Sequence, residues 1–255
     1  MNGIVQLARL TFIEAVRNRI AYGVLAFLAV LLATAALISS VTMGRTEMLI
    51  LDLGLGGISI LGNLMAMLFA IQSLQQERDS RALYVLLIRL PRRWHYVLGK
   101  FTGLAAVLAL MIVVMGILLA LSAYPFGAFH LGSFAQAMLA IVLETWMVIA
   151  VAMLFAQTSS LFLGVLLTLA VDIAGRFTDV MHQFAGQLHA QAMRWLVTAM
   201  YYALPNFAAI NLRDQAGYIP AYDWGRMASV CAYAGAETAL LLLFVIWVFG
   251  RKNLS

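Results

Sequence analysis

Charge is what this 255-residue chain has least of: 11% of its residues are Asp, Glu, Lys or Arg, against about 25% in a soluble domain. So little charge cannot clothe a water-exposed surface, which excludes a soluble globular protein. Cysteine is nearly missing too. Cys231 stands alone and offers neither a disulfide framework nor a cysteine metal site. The glycine-rich phosphate loop is absent: Gly99–Lys100 is followed by Phe101 and lacks the upstream glycine of that motif. The chain therefore does not hydrolyse ATP by that route. No GxSxG or HExxH is present, which removes the simplest hydrolase readings. The 4 histidines are scattered. His182 and His189 are spaced to share a helix face, a weak pattern for a metal and a better one for interfacial side chains. No catalytic residue and no metal site are expected.

What is present is hydrocarbon, 64% of residues being hydrophobic. Six continuous apolar runs stand out, at 20–41, 51–74, 97–122, 133–155, 161–181 and 228–249. Each suits a helix crossing about 30 Å of hydrocarbon. The expected fold is an all-α integral membrane protein, one transmembrane domain over 1–255. The run at 20–41 is long enough to stay as a span, so no cleaved signal is expected. Most basic residues fall on one side: Arg9, Arg17, Arg19, Arg78, Arg81, Arg89, Arg92, Arg93, Lys100, Arg251 and Lys252. The positive-inside rule then puts both termini and the 75–96 segment in the cytoplasm. It also accounts for the net charge of +5 without any nucleic-acid partner.

Three pieces do not span. Met1–Arg19 places Val5, Ala8, Phe12 and Val16 on one helical face, with Gln6, Thr11, Glu14, Arg17 and Asn18 mostly opposite. That pattern predicts an interfacial helix on membrane lipid, the plainer alternative being a basic flank to the first span. The second piece, Gln75–Lys100, holds 8 of the chain's 27 charged residues. Asp79 or Ser80 can cap a helix, Leu83, Leu86, Leu87 and Leu90 share one face, and Pro91 breaks it. A short amphipathic helix and a sharp corner into the third span are expected. An ordinary loop helix resting on headgroups is the alternative. The third piece, 182–227, carries Phe184, Leu188, Met193, Trp195, Leu196, Met200, Tyr201 and Tyr202 before Pro205. It predicts ordered helices pressed into the outer leaflet or re-entering it.

Charges inside spans are costly and face a bundle interior or a partner. Glu144, Asp172, Arg176 and Glu237 are the intramembrane candidates. Asp172 and Arg176 are four apart and can pair. Glu144 and Glu237 have no partner visible in the sequence. These residues are read either as a polar or proton path or as helix–helix hydrogen bonding. For Asp172 with Arg176 the packing role is favoured; for the other two both stay open.

In their order and spacing these pieces resemble the permease subunits of type-2 ABC exporters. The likeness runs nearly end to end. It comprises LARLTFIEAVRNRI ahead of the first span, ERDSRALYVLLIRLPRRWHYVLGKFTGL after the second, FAQTSSLFLG between the fourth and fifth, and YYALPNFAAINLRD in the outer segment. The densest motif joins Glu77, Arg81, Tyr84, Leu86, Leu87, Pro91, Arg93, Leu98, Gly99 and Lys100. The LPNF piece is similar to a branch that includes permeases serving nitrous-oxide-reductase maturation. The stretch from His182 to Arg194 fits no pattern of the family.

The resemblance implies a non-catalytic, multi-pass subunit in a bacterial cytoplasmic (inner) membrane. Its 75–96 segment would be a coupling helix set in a groove of a separate cytoplasmic ATPase, through Glu77, Arg78, Arg81, Tyr84, Leu87, Pro91 and Arg93. Two ATPases carrying ATP and Mg would serve two permease copies, a homodimer; no cofactor would bind the chain itself. Tyr201, Tyr202, Pro205, Asn206 and Phe207 would form an outer gate or a surface for a periplasmic partner. An anchoring or motion-transmitting module is the competing expectation, and a stand-alone channel or proton path using Glu144, Asp172 and Glu237 a lesser one.

Overall fold

A computed structural model of the chain describes residues 46–79, 93–124, 129–178, 180–181, 191–213, 216, 218–221 and 223–251, together with 5, 7–13, 27 and 29. Every regular element among them is helical. The helices are α1 Thr46–Asp79, α2 Arg93–Ala123, α3 Leu131–Thr158, α4 Leu161–Arg176, α5 Gln191–Ala203 and α6 Trp224–Arg251, with a 3-10 turn at Ala208–Ile210. Long uninterrupted apolar runs dictate this outcome. In hydrocarbon each backbone N–H and C=O must find its partner within the chain, and a helix does so along its own axis.

Four helices, α1, α2, α3 and α6, are long and apolar enough to cross a membrane, so the chain has the character of a helical membrane protein. They run up and down as neighbours. One end of the bundle gathers Glu77, Tyr96, Lys100, Ser159 and Phe249, and the charged segment 80–92 leaves from it. This is called the island end. The opposite, far end gathers Asp52, Ser133, Tyr218 and Pro220. Helix α3 is the axle. It touches α1, α2, α4 and α6, and Ala137, Ile141, Met147, Ala150 and Met153 along its length are buried. Helix α6 shows only one narrow buried stripe, Met227, Val230, Ala234, Leu242, Val245 and Phe249, and is peripheral.

Two expectations need adjusting. The run at 161–181 is unbroken helix only to Arg176; it bends at Phe177 and is helical again at 178, 180 and 181. At 16 residues the unbroken part reaches about 24 Å, short of the hydrocarbon thickness. The cause is tertiary. The Gly175 carbonyl accepts the Phe207 N–H at 3.1 Å and the Thr178 hydroxyl at 2.9 Å in place of a bond along the helix, and the chain bends there. The run at 20–41 lies outside the described residues apart from Phe27 and Ala29.

The N-terminal helix also docks by a different face from the one the polarity pattern indicates. Leu7 and Thr11 are buried, while Val5, Leu10 and Ile13 are exposed. Gly103 on α2 explains why. A Cβ there would lie 2.7 Å from the Thr11 Cβ and 2.9 Å from the Ala8 carbonyl. The missing side chain lets the backbone of 8–11 press against the bundle, and the threonine follows it inward. Polarity alone cannot anticipate a docking face set by one absent side chain.

Candidate functional site

Two groups of buried polar side chains organise the bundle. At the island end, Glu77 sits on the last turn of α1 and Tyr96 and Lys100 on the first two turns of α2. Both Tyr96 and Lys100 donate to the Glu77 carboxylate, one from its hydroxyl and one from Nζ. Lys100 is 1% exposed. An ammonium so enclosed is tolerable only beside a carboxylate, since burying an ion without a partner costs several kcal/mol. Tyr96 is sealed in turn by Phe249, their rings stacked at 5.5 Å between centroids. The Gln75 side-chain amide donates from Nε2 to the Ser159 carbonyl at 3.1 Å and ties α1 to the corner between α3 and α4. The clamp thus closes the two ends of the charged segment onto one another.

The second group lies deeper. Glu144 on α3 accepts from Arg176 Nη2 at 2.5 Å and from Asn63 Nδ2 at 3.0 Å, with Ser59 Oγ at 3.4 Å. Arg213 Nη2 approaches its other oxygen at 3.6 Å. Asp172 accepts from Arg176 Nε and from Asn63 Nδ2, both at 3.2 Å. Thr145 Oγ1 donates to Asn63 Oδ1 at 3.1 Å. Both amide protons of Asn63 therefore reach carboxylates, and its oxygen lies within hydrogen-bond distance of a hydroxyl. Two carboxylates face two guanidiniums, and the formal charge of the group is zero.

Arg213 arrives from outside the helices. Beyond α5 the chain turns back into the bundle, burying Pro205, Phe207, Ile210, Leu212 and Ala216. Irregular backbone at this depth is tolerated only where protein surrounds it and its polar groups are met. They are. Asn206 N–H donates to the Tyr233 hydroxyl at 2.9 Å, and Asn206 Oδ1 accepts the Ala209 N–H at 3.0 Å. Asn211 Oδ1 takes both the N–H and the Nε of Arg213 at 3.1 Å, which aims the guanidinium downward.

The candidates from the sequence separate accordingly. Glu144, Asp172 and Arg176 come together, and the Asp172–Arg176 pair forms as the spacing predicts. Glu237 does not join them and makes no hydrogen bond or ion pair among the described residues. Of the coupling residues, Glu77 turns inward to Lys100 and Tyr96; Arg81, Tyr84, Leu87 and Pro91 lie outside the described residues. Arg78 and Arg93 lie on α1 and α2, with only their backbone described. In the outer set, Pro205 and Phe207 are buried, Asn206 and Tyr201 partly so, and Tyr202 is exposed. Sequence reading overlooked Ser59, Asn63 and Arg213. The one available signal was an amide and a hydroxyl one turn apart in the middle of an apolar run; for Arg213 there was none.

Among the described residues no three His, Cys, Asp or Glu converge as metal ligands. An apolar groove of about 520 Å³ lies between α2 and α3, lined by Gly116, Ala120, Phe134 and Met138 among others, and it carries no ionisable group. Comparison with models of protein families and with curated proteins gives no match.

Proposed function

We propose that this chain is the transmembrane permease subunit of an ATP-binding-cassette exporter. It would have six spans and both termini in the cytoplasm, within a bacterial cytoplasmic membrane. A separate ATPase, two copies per complex and carrying ATP and Mg, docks on the charged segment between α1 and α2. A second permease copy completes the unit. The observation that supports this reading is the buried clamp of Glu77, Tyr96 and Lys100. It makes the base of the segment rigid, so a push on 80–92 reaches α1 and α2 together. Without such a clamp the charged segment would flex and the two helices would stay still.

The test is retention of an ATPase. The complex purified from native membranes should contain a soluble ATPase subunit, and Arg81→Glu should release it while thermal unfolding of the permease stays the same. An ATPase retained by the Arg81→Glu protein, or none in the native complex, would count against the proposal.

A second reading has its own support: motion is handed to a partner on the far side and nothing crosses. Arg213 links the re-entrant segment to Glu144 in mid-bundle, so a shift of α3 carries that segment along. An abundant cross-linked adduct from Tyr202 to a protein outside the membrane favours this reading over export. The channel or proton-path reading draws less support, because Glu144 and Asp172 are each engaged by arginine.

A further inference from the structure

Glu237 is a charge in the middle of a long apolar helix that the chain itself does not answer. It makes no hydrogen bond or ion pair among the described residues. Thirteen residues separate it from Trp224 and fourteen from Arg251, which puts it about 20 Å from either end of α6. A carboxylate at that depth is too costly to leave in hydrocarbon; it belongs beside a partner.

The surface around it has the shape of a helix seat. Tyr233, Glu237, Leu240, Phe244, Trp247 and Arg251 recur at alternating steps of four and three residues. That period of 3.5 residues makes one straight seam, along which a second helix can lie at a small crossing angle. At the far end of the seam Tyr233 is partly covered, and its hydroxyl takes the Asn206 N–H at 2.9 Å. Toward the island end the seam is open: Leu240, Phe244 and Trp247 are 61%, 49% and 50% exposed. The Phe244 and Trp247 rings stack at 5.6 Å between centroids, and the Arg251 guanidinium lies 3.9 Å from the centre of the Trp247 ring.

Charge decides what lies there. Lipid tails suit Leu240, Phe244 and Trp247 but offer nothing to a carboxylate so deep. A second copy of this chain offers little more. Inside the bundle Lys100 is held by Glu77, and Arg176 and Arg213 by Glu144, so among the described residues no cation there is spare. A two-fold axis along α6 would set Glu237 against its own copy, where two carboxyl groups cannot both ionise. A foreign cation at the same depth neutralises it outright.

We infer that the seam from Tyr233 to Arg251 receives a membrane-spanning helix of a different chain, which carries a lysine or arginine at mid-depth to pair with Glu237. The inference rests on reading α6 as a span and goes beyond the exporter proposal, which calls only for an ATPase and a second copy.

The test uses the full chain in phosphatidylcholine vesicles with synthetic single-span leucine peptides, alike except for a central lysine, glutamate or leucine. Energy transfer from a donor on the chain to an acceptor on the peptide measures association. The lysine peptide should bind roughly tenfold more tightly than the leucine peptide. Glu237→Gln should remove that preference with the unfolding temperature in detergent unchanged, and Glu237→Lys should transfer it to the glutamate peptide. Equal binding of the lysine and leucine peptides overturns the inference, and so does a lysine preference that survives Glu237→Gln. Self-association of donor- and acceptor-labelled chains that Glu237→Gln weakens would overturn it in favour of a second copy. Leu243→Cys in the Cys231→Ala chain checks the span separately. Its labelling by a water-soluble maleimide in sealed vesicles would remove the membrane reading of α6 and the inference with it. Should the Glu237 variants fail to fold, the wild-type chain is titrated with peptides whose lysine is moved one turn at a time. A preference for the central position supports the inference, and no preference overturns it.

Discussion

The clamp at the island end and the cluster in mid-bundle are both buried ion pairs, yet they are built differently. The clamp joins two helices through one carboxylate, and that carboxylate keeps 18% of its surface in contact with the exterior. The cluster joins three helices and a re-entrant segment, and its central Glu144 is 4% exposed on its side chain. Where water can rehydrate an acid, one ammonium and one hydroxyl suffice. Where it cannot, the acid needs guanidiniums, an amide and a hydroxyl to replace its hydration shell. The clamp is thus suited to passing force between two neighbours, and the cluster to holding several elements in one register.

Breaking the deeper group should cost most. Glu144→Ala leaves Arg176 and Arg213 without their shared carboxylate and should destabilise the protein by about 3–5 kcal/mol, measured as a drop in unfolding temperature in detergent. Glu144→Gln, which retains the hydrogen-bonding shape, should lose less. A comparable loss for Lys100→Ala would erase the contrast drawn between the two groups.

Gly175→Ala comes next. Its Cβ would lie 2.4 Å from the Pro205 carbonyl and 2.5 Å from the Phe207 ring. Overpacking of this kind costs about 1–3 kcal/mol and should lift the 205–207 turn. A cysteine at Ala209 would then react faster with water-soluble maleimide; an unchanged rate would mean that the turn is held by something other than this contact.

Lys100→Met should cost about 1–3 kcal/mol, less than Glu144→Ala because Glu77 keeps Tyr96 and some water. Glu77→Lys with Lys100→Glu should recover most of the loss, whereas failure of the swap would show that Tyr96 needs the acid on α1. Arg213→Gln is the mildest, at about 1 kcal/mol, since Glu144 retains Arg176, Asn63 and Ser59. An effect as large as that of Glu144→Ala would make the re-entrant segment, not α4, the main support of the cluster.

Much of this was legible in the chain. The apolar runs foretold α1, α2, α3 and α6, because a long hydrophobic stretch admits few states other than a spanning helix. The spacing of Asp172 and Arg176 foretold their pair, since residues four apart on a helix are neighbours whatever else the protein does. The turn at LPNF was foretold as a break, because proline cannot continue a helix.

Partners far apart in the chain were not legible. That Glu144 meets Asn63 and Arg213, or Glu77 meets Lys100, depends on which helices lie side by side, and no local pattern encodes that. Composition determined that this protein belongs in a bilayer as helices, because burying a backbone in hydrocarbon leaves little choice. Only the tertiary structure decided that the fifth run bends after Arg176, that the chain from α5 returns to pack against that bend, and that four charges cancel there. A carbonyl on one helix and an N–H some thirty residues later settled it by finding each other.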